Sequence, residues 1–286
     1  MLIDLQLHST FSDGYLTPLE LAKFIAKEGV KVAALTDHNT VAGLDEFRQG
    51  CKMYNIKSIT GMELYVKLHS KKFNLLWFNF NEQAPELHKM LRNSQIRRRS
   101  RVRSMLEKLD GLGLSINADL ILDKYTHYIP DNHIIDDVLK NRVNRRKIAL
   151  ELGRGAREEE IIRAYFYNKK IGRLYESYIN IKQVLALRKK IGGQLILNHP
   201  GKYNHLQKPF LLNLKRLGID GMEVLSPHHS IGAVMYSQYM ADKIGFIATG
   251  GSDFHRLEKN NAPIQCSWQY FKIDSKNLPG IDKIIK

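Results

Sequence analysis

"TPLELAKFIAKEGVKVAALTDHNT", residues 17–40, decides the fold class. Thr17 reads as a helix N-cap, with Pro18 at the first helical position and Glu20 three residues past the cap, the pattern of a capping box. Apolar residues recur at helical spacing up to Gly29, and "KVAALT" then reads as a buried strand. A helix that hands the chain to a strand is the repeating unit of α/β proteins. The unit recurs in a helix from about Val41 to Tyr54, strands "SITGMELYV" and "FNLLWFNF", helix "IKQVLALRKKIGG", strand "QLILNHP", helix "FLLNLKRLG", strand "GMEVLS", helix "AVMYSQYMADKIG" and strand "FIATGGSD". This alternation predicts a parallel sheet. Residues 82–170 are instead helical in pattern, highly charged and without a comparable strand, so they are expected to form an inserted basic domain between two α/β parts, 1–81 and 171–286.

Polar residues concentrate where the predicted strands end. In "DLQLHSTFSDG", residues 4–14, Gln6 and His8 alternate with Leu5 and Leu7 and therefore share one face of a strand that runs into Asp13 and Gly14. Asp37 with His38, then Glu63, His199, Glu223, and Asp253 with His255, fall at or just past other strand ends. In parallel α/β folds that edge is where loops converge to build a site. One His at a strand end is an ordinary structural residue. Six strand ends that each supply an imidazole or carboxylate point to a shared cation, because such groups are rarely buried together without compensation.

The chain of 286 residues is 43% hydrophobic, enough for a substantial core, and carries a formal net charge of +15. The excess of cations favours anionic partners such as nucleotides or nucleic acid. It is densest in "RNSQIRRRSRVRSMLEKL" (92–109) and "KNRVNRRK" (140–147), stretches that suit either a solvated helix face or a phosphate-binding surface. Cys51 and Cys266 are too few for a disulfide framework and lack zinc-site spacing. The start "MLIDLQLHST" resembles no signal peptide, and no apolar run approaches the roughly 18 residues of a membrane span. A cytoplasmic protein without a membrane partner is expected; the oligomeric state is left open.

"DLQLHSTFSDG", "ALTDHNT", "GMEL", "LNHPGKY", "GMEVLSPHHS" and "TGGSDFH" follow one another in an order and spacing that resemble the polymerase and histidinol phosphatase (PHP) family. The helical middle, and "PHHS" ahead of "GGSDFH", resemble its small phosphoesterases, among them nucleoside 3′,5′-bisphosphate phosphatases and ribonuclease AM. The resemblance implies a distorted (β/α)7 barrel with one to three divalent ions, Mn, Fe or Zn, hydrolysing phosphate esters. It assigns His8, Asp13, His38, Glu63, His199, Asp253 and His255 as metal ligands, and a mixed imidazole and carboxylate set suits those metals. Thr36, Asp37 and Ser252 are expected to orient the ligands. Asp253 and His229 are the expected catalytic residues, with His229 titrating near neutrality, and His133, His229 and Lys202 the expected substrate contacts.

Three positions depart from the family pattern. Gln6 stands where the first histidine of a His-x-His pair belongs, Asn74 replaces a histidine, and Asp131 in "IPDNH" replaces an arginine two residues before His133. Gln6 and Asn74 are therefore weak or lost ligands, and the set Asp13, His38 and His255 is intact. The first reading is a working phosphoesterase acting on a phosphorylated nucleotide or short oligonucleotide. A second is a catalytically weakened relative that binds RNA or another polyanion through the basic insertion, and a third is a histidinol-phosphatase-like enzyme. Neutralising Asp253 is expected to spare folding by relieving repulsion among carboxylates.

Overall fold

The structure, a computed structural model, describes residues 1–168, 171–257 and 272–286; Cys266 lies outside them. Its strands are β1 (Leu2–Leu7), β2 (Val32–Leu35), β3 (Lys57–Ile59), β4 (Gly61–Leu68), β5 (Lys71–Phe78), β6 (Tyr167–Asn168), β7 (Gly172–Arg173), β8 (Ile179–Asn180), β9 (Gln194–Leu197), β10 (Gly221–Leu225), β11 (Ile247–Gly250) and β12 (Ile273–Asp274). Its α-helices are α1 (Pro18–Lys27), α2 (Leu44–Met53), α3 (Pro85–Gly111), α4 (Ala118–Leu122), α5 (Asp131–Lys140), α6 (Arg142–Leu152), α7 (Glu158–Ile161), α8 (Ile181–Ile191), α9 (Lys208–Leu217), α10 (Ile231–Ile244) and α11 (Asp282–Ile285). The chain divides into two compact units, one of residues 1–89 with 178–286 and one of residues 90–177.

The larger unit contains two sheets, ordered β12-β1-β2-β3 and β11-β10-β9-β5-β4-β8. β1, β2 and β3 run parallel, as do β9, β10 and β11, with the intervening helices expected of such crossovers. β5 is antiparallel to both β4 and β9, so the second sheet is mixed where the alternation had predicted a parallel one. The reason is local. Only His69 and Ser70 separate β4 from β5, too short a link for a crossover helix, and His69 takes the left-handed conformation (φ 54°) that closes the hairpin.

α1 forms as its sequence dictates: Thr17 accepts from the Glu20 amide, the Glu20 carboxylate accepts from the Thr17 amide, and Pro18 opens the helix. Leu21, Ala22 and Ile25 of α1 and Leu44, Phe47 and Cys51 of α2 pack with Leu7, Ala33 and Leu35 into one buried cluster. Isolated parallel bridges join Leu7 to Phe254 and His38 to Glu63, tying the ends of β1 and β2 to residues of the second sheet or just past it. The smaller unit has its own core, in which Val102, Met105, Leu106 and Leu109 of α3 meet Ile134, Ile135, Ile148 and Phe166.

Candidate metal centre

Strand geometry first decides what faces the site. Asp4, Gln6 and His8 occupy one face of β1 and its extension, and all three are fully buried, while Leu7 on the other face joins the α1–α2 core. At the end of β1 the parallel register shifts, and Thr36 fills the gap: its hydroxyl accepts from the Leu7 amide (3.1 Å) and donates to the Leu7 carbonyl (3.2 Å). The His8 amide donates to the Phe254 carbonyl at 3.0 Å. The loop that follows is pinned by Asp37, whose carboxylate accepts from the Ser9 amide (2.8 Å) and from the hydroxyls of Ser9 (2.6 Å) and Ser12 (2.5 Å). It then folds back closely enough that a Cβ on Gly14 would lie 2.2 Å from the His8 carbonyl oxygen, which brings Asp13 back beside His8. Gly251 does the same for the last strand, since a Cβ there would lie 2.6 Å from the Gln6 amide nitrogen. Both His199 (φ 23°) and Asp253 (φ 51°) hold left-handed backbone, uncommon for such residues and frequent where a site dictates conformation.

Two overlapping groups of ligand atoms result, each with all its atoms within 4.8 Å of one another: His8, Asp13, His38 and His255, and His8, Glu63 and Asp253. Asp13 lies 3.3 Å from His8 Nδ1, 3.4 Å from His38 Nε2 and 3.2 Å from His255 Nε2. His8 Nε2 lies 3.3 Å from Glu63 Oε2 and 3.1 Å from Asp253 Oδ1. Neither nitrogen of the buried His8 ring makes an aligned hydrogen bond at those distances, the arrangement of donors that converge on a common point. His199 Nε2 reaches Glu63 Oε1 at 3.4 Å. Imidazoles and carboxylates in this proximity fit a divalent ion of the borderline class.

Electrostatics are consistent with that density of charge. Burial alone would raise the Asp13, Glu63 and Asp253 carboxyls, but the imidazoles around them, and Lys202 near Asp253, hold each well below the usual carboxylate range. Burial likewise opposes a charge on His8, and Asp13, Asp253 and Glu63 raise it well above an ordinary imidazole. Two carboxyls behave oppositely. Burial raises Asp4 to about 7, and burial with Asp253 nearby raises Glu223 well above the ordinary range. Glu223 sits in the middle of β10, where the sequence reading had put it at the strand end, and its Oε2 accepts from the His199 amide (3.0 Å).

Gln6 and Asn74 lie in the same cluster, as hydrogen-bond donors to carboxylates. His229 does not offer a free imidazole. Its Nδ1 donates to the Val224 carbonyl (2.9 Å), its Nε2 accepts from the Gly201 amide (3.0 Å), and burial pushes its pKa down to about 4, so the expected titration near neutrality is not found. The neighbouring His228 faces the centre instead, with Nε2 at 2.5 Å from Asp253 Oδ2 and 3.3 Å from Lys202 Nζ. The adjacent pair "HH" was visible in the sequence; which one turned inward was not. Tyr65, also missed, places its hydroxyl 3.1 Å from His38 Nε2 and stacks on that ring. Its alternation with Glu63 on β4 was the available signal. Thr36 and Asp37 orient the backbone around His8 and Asp13 as described, and the Ser252 amide donates to Asp4 Oδ1 (3.0 Å).

In the smaller unit, His133 lies on α5 beside Asp131. Asp131, which takes the place of an expected arginine, bonds the buried Arg98, and Glu176 Oε1 meets the same guanidinium at 3.0 Å. The basic run on α3 is largely occupied within the unit: Arg97 donates to Ser177, Arg99 pairs with Asp123, Arg101 donates to the Glu176 carbonyl and Arg103 pairs with Asp119. Arg98 is thus taken up inside the unit, while Arg99, Arg101 and Arg103 make their contacts at the surface.

Residues 4–128 match the PHP domain. The chain is 26% identical over 99% of its length to a 5′-3′ exoribonuclease of Haemophilus influenzae, covering 96% of that protein. It is also 26% identical to a 3′,5′-nucleoside bisphosphate phosphatase of Chromobacterium violaceum, over 88% of this chain and 87% of the relative. The solved structure of an amidohydrolase from Chromobacterium violaceum superposes with a TM-score of 0.73 at 24% identity, covering 92% of this chain and 90% of that one, a likeness of fold. The PHP resemblance read from the motifs is thus borne out.

Proposed function

We propose that this protein is a metal-dependent phosphoesterase that hydrolyses a phosphomonoester of a nucleotide or short oligonucleotide. The observation that carries the reading is the convergence of His8, Asp13, His38, Glu63, Asp253 and His255, from well-separated parts of the sequence, into two overlapping ligand groups that share the buried His8. The relatives named for nucleotide and RNA phosphate chemistry support the substrate class. His8, Asp13, His38 and His255 would hold the ion, and Mn, Fe or Zn suits that donor set. A divalent ion held there supplies Lewis acidity, making water more acidic and offsetting charge on the phosphate oxygens.

The chain's own groups account for the rest. Lys202 Nζ offers a cation to the phosphate oxygens beside His228. In hydrolysis the ester P–O bond breaks as a P–O bond to water forms, and the departing oxygen needs a proton. His228 Nε2, paired with Asp253 Oδ2, would deliver it, while His229 holds the Gly201 amide. We also read β1, β2, β4, β5, β9, β10 and β11 as the seven strands of one distorted barrel, with the helical segment 82–170 as an insertion between barrel parts 1–81 and 171–286, in a cytoplasmic protein. Among the described residues no helix is long and apolar enough to cross a membrane. The test is phosphate release from nucleoside 3′,5′-bisphosphates and 5′-phosphorylated dinucleotides by chelator-treated protein given back Mn, Fe or Zn. Release that depends on added metal is expected; protein inert with every metal would contradict the reading.

A further inference from the structure

Glu63 and Asp253 are already answered by nitrogen atoms of this chain. Gln6 Nε2 stands 2.8 Å from Asp253 Oδ1 and 3.4 Å from Glu63 Oε2, the two carboxylate oxygens nearest His8 Nε2 in the second ligand group. Asn74 Nδ2 donates to Glu63 Oε1 at 2.5 Å, where His199 Nε2 also approaches. His228 Nε2 takes Asp253 Oδ2. All four oxygens of the two carboxylates thus face a donor from the protein.

The orientation of Gln6 is dictated by charge. Turned over, its carbonyl oxygen would face two anionic carboxylates; as placed, its NH2 faces them and Oε1 is left buried without a hydrogen-bond partner. Around Asp13 the described partners are the imidazoles of His8, His38 and His255, with the Ser12 hydroxyl at 3.2 Å. Lys202 stands at the edge of this group, with Nζ 3.3 Å from the His228 Nε2 that meets Asp253 Oδ2.

We propose that this chain binds a single divalent ion, at Asp13, His38, His255 and His8, and that Gln6 and Asn74 stand in place of further ions at Glu63 and Asp253. The amides supply donors where cations would otherwise sit, and Lys202 supplies the positive charge a phosphate would meet on that side. The inference rests on the phosphoesterase reading only in concerning the same site, and its readout is stoichiometry.

The experiment is equilibrium binding of Mn²⁺ to the chelator-treated full chain, with elemental analysis after dialysis, beside the Gln6→His/Asn74→His double variant and Lys202→Gln. Wild type is expected to saturate at one ion per chain and the double variant to take up at least one more. Lys202→Gln is expected to weaken binding of inorganic phosphate by about tenfold, the loss of one charge-assisted contact, with the first ion retained. Two or more ions on wild type with affinities within about tenfold, or none, would overturn the proposal. So would a double variant that melts cooperatively yet stays at one ion. If the double variant does not fold, wild-type stoichiometry alone decides. Protein that hydrolyses nucleotide phosphates while binding two ions refutes this inference and leaves the phosphoesterase reading standing; one ion without hydrolysis under any metal does the reverse.

Discussion

At the scale of single residues, the roles proposed for His38 and His228 are separable by substitution. His38→Ala removes an imidazole beside Asp13 and should lower Mn²⁺ affinity at least tenfold in equilibrium binding; unchanged affinity would remove His38 from the ligand set. His228→Ala should cut turnover by about 10²–10⁴ in protein that still melts cooperatively, with some stability lost because Asp253 Oδ2 is left without that donor. His229→Ala should instead destabilise by about 1–3 kcal/mol in urea unfolding, because it strands the Val224 carbonyl and the Gly201 amide. Asp4 gives a pH signature. Its pKa is 3.8 in the reference state and about 7 in the fold. Between those values the folded chain holds a proton the unfolded chain has released, so stability falls as pH rises from about 4 to about 7 and the loss is complete above it. Asp4→Asn keeps an Oδ1 acceptor for the Gln6 and Ser252 amides and should flatten that fall, leaving the variant more stable by a few kcal/mol at pH 8. The candidate ligands His8, His199 and Asp253 were legible because they follow the ends of β1, β9 and β11, whereas Glu63 lies near the start of β4, where no strand end marks it. The choice between His228 and His229, and the inward face of Tyr65, depend on loop backbone and packing that no periodicity encodes.

At the scale of elements, α1 and β2 were readable from capping and apolar spacing, and the antiparallel β5 was not, because a two-residue link between apolar strands carries little pattern. The basic run on α3 was readable as charge but not as partnership. Arg98 is 1% exposed and held by Asp131 and Glu176. Arg98→Gln should destabilise the smaller unit by about 3–5 kcal/mol, since it leaves two carboxylates without their buried cation; limited proteolysis or urea unfolding measures it. Arg142, Arg145 and Arg146 on α6 are exposed, with no ion pair among the described residues. Gln at those three positions should flatten the salt dependence of oligonucleotide binding without a change in melting temperature. An unchanged salt slope would assign α6 to an ordinary solvated face.

For the whole molecule, the net charge of +15 and the buried imidazole–carboxylate centre favour a small anionic ester as substrate, and electrostatic attraction would speed its capture at low salt. Burial alone would raise the Asp253 carboxyl, but His255, His228, His8 and Lys202 hold it well below the ordinary range, so the charge stabilises the fold at neutral pH. Asp253→Asn should therefore lose some stability, contrary to the relief of repulsion expected from sequence, while remaining folded. The most direct measurement is metal-dependent phosphate release from a nucleoside 3′,5′-bisphosphate by wild type and Asp253→Asn, purified side by side and melted to verify folding. The account predicts release by wild type with added Mn²⁺ and a fall of at least about 10³-fold in the variant. Equal release by the two folded proteins would contradict it.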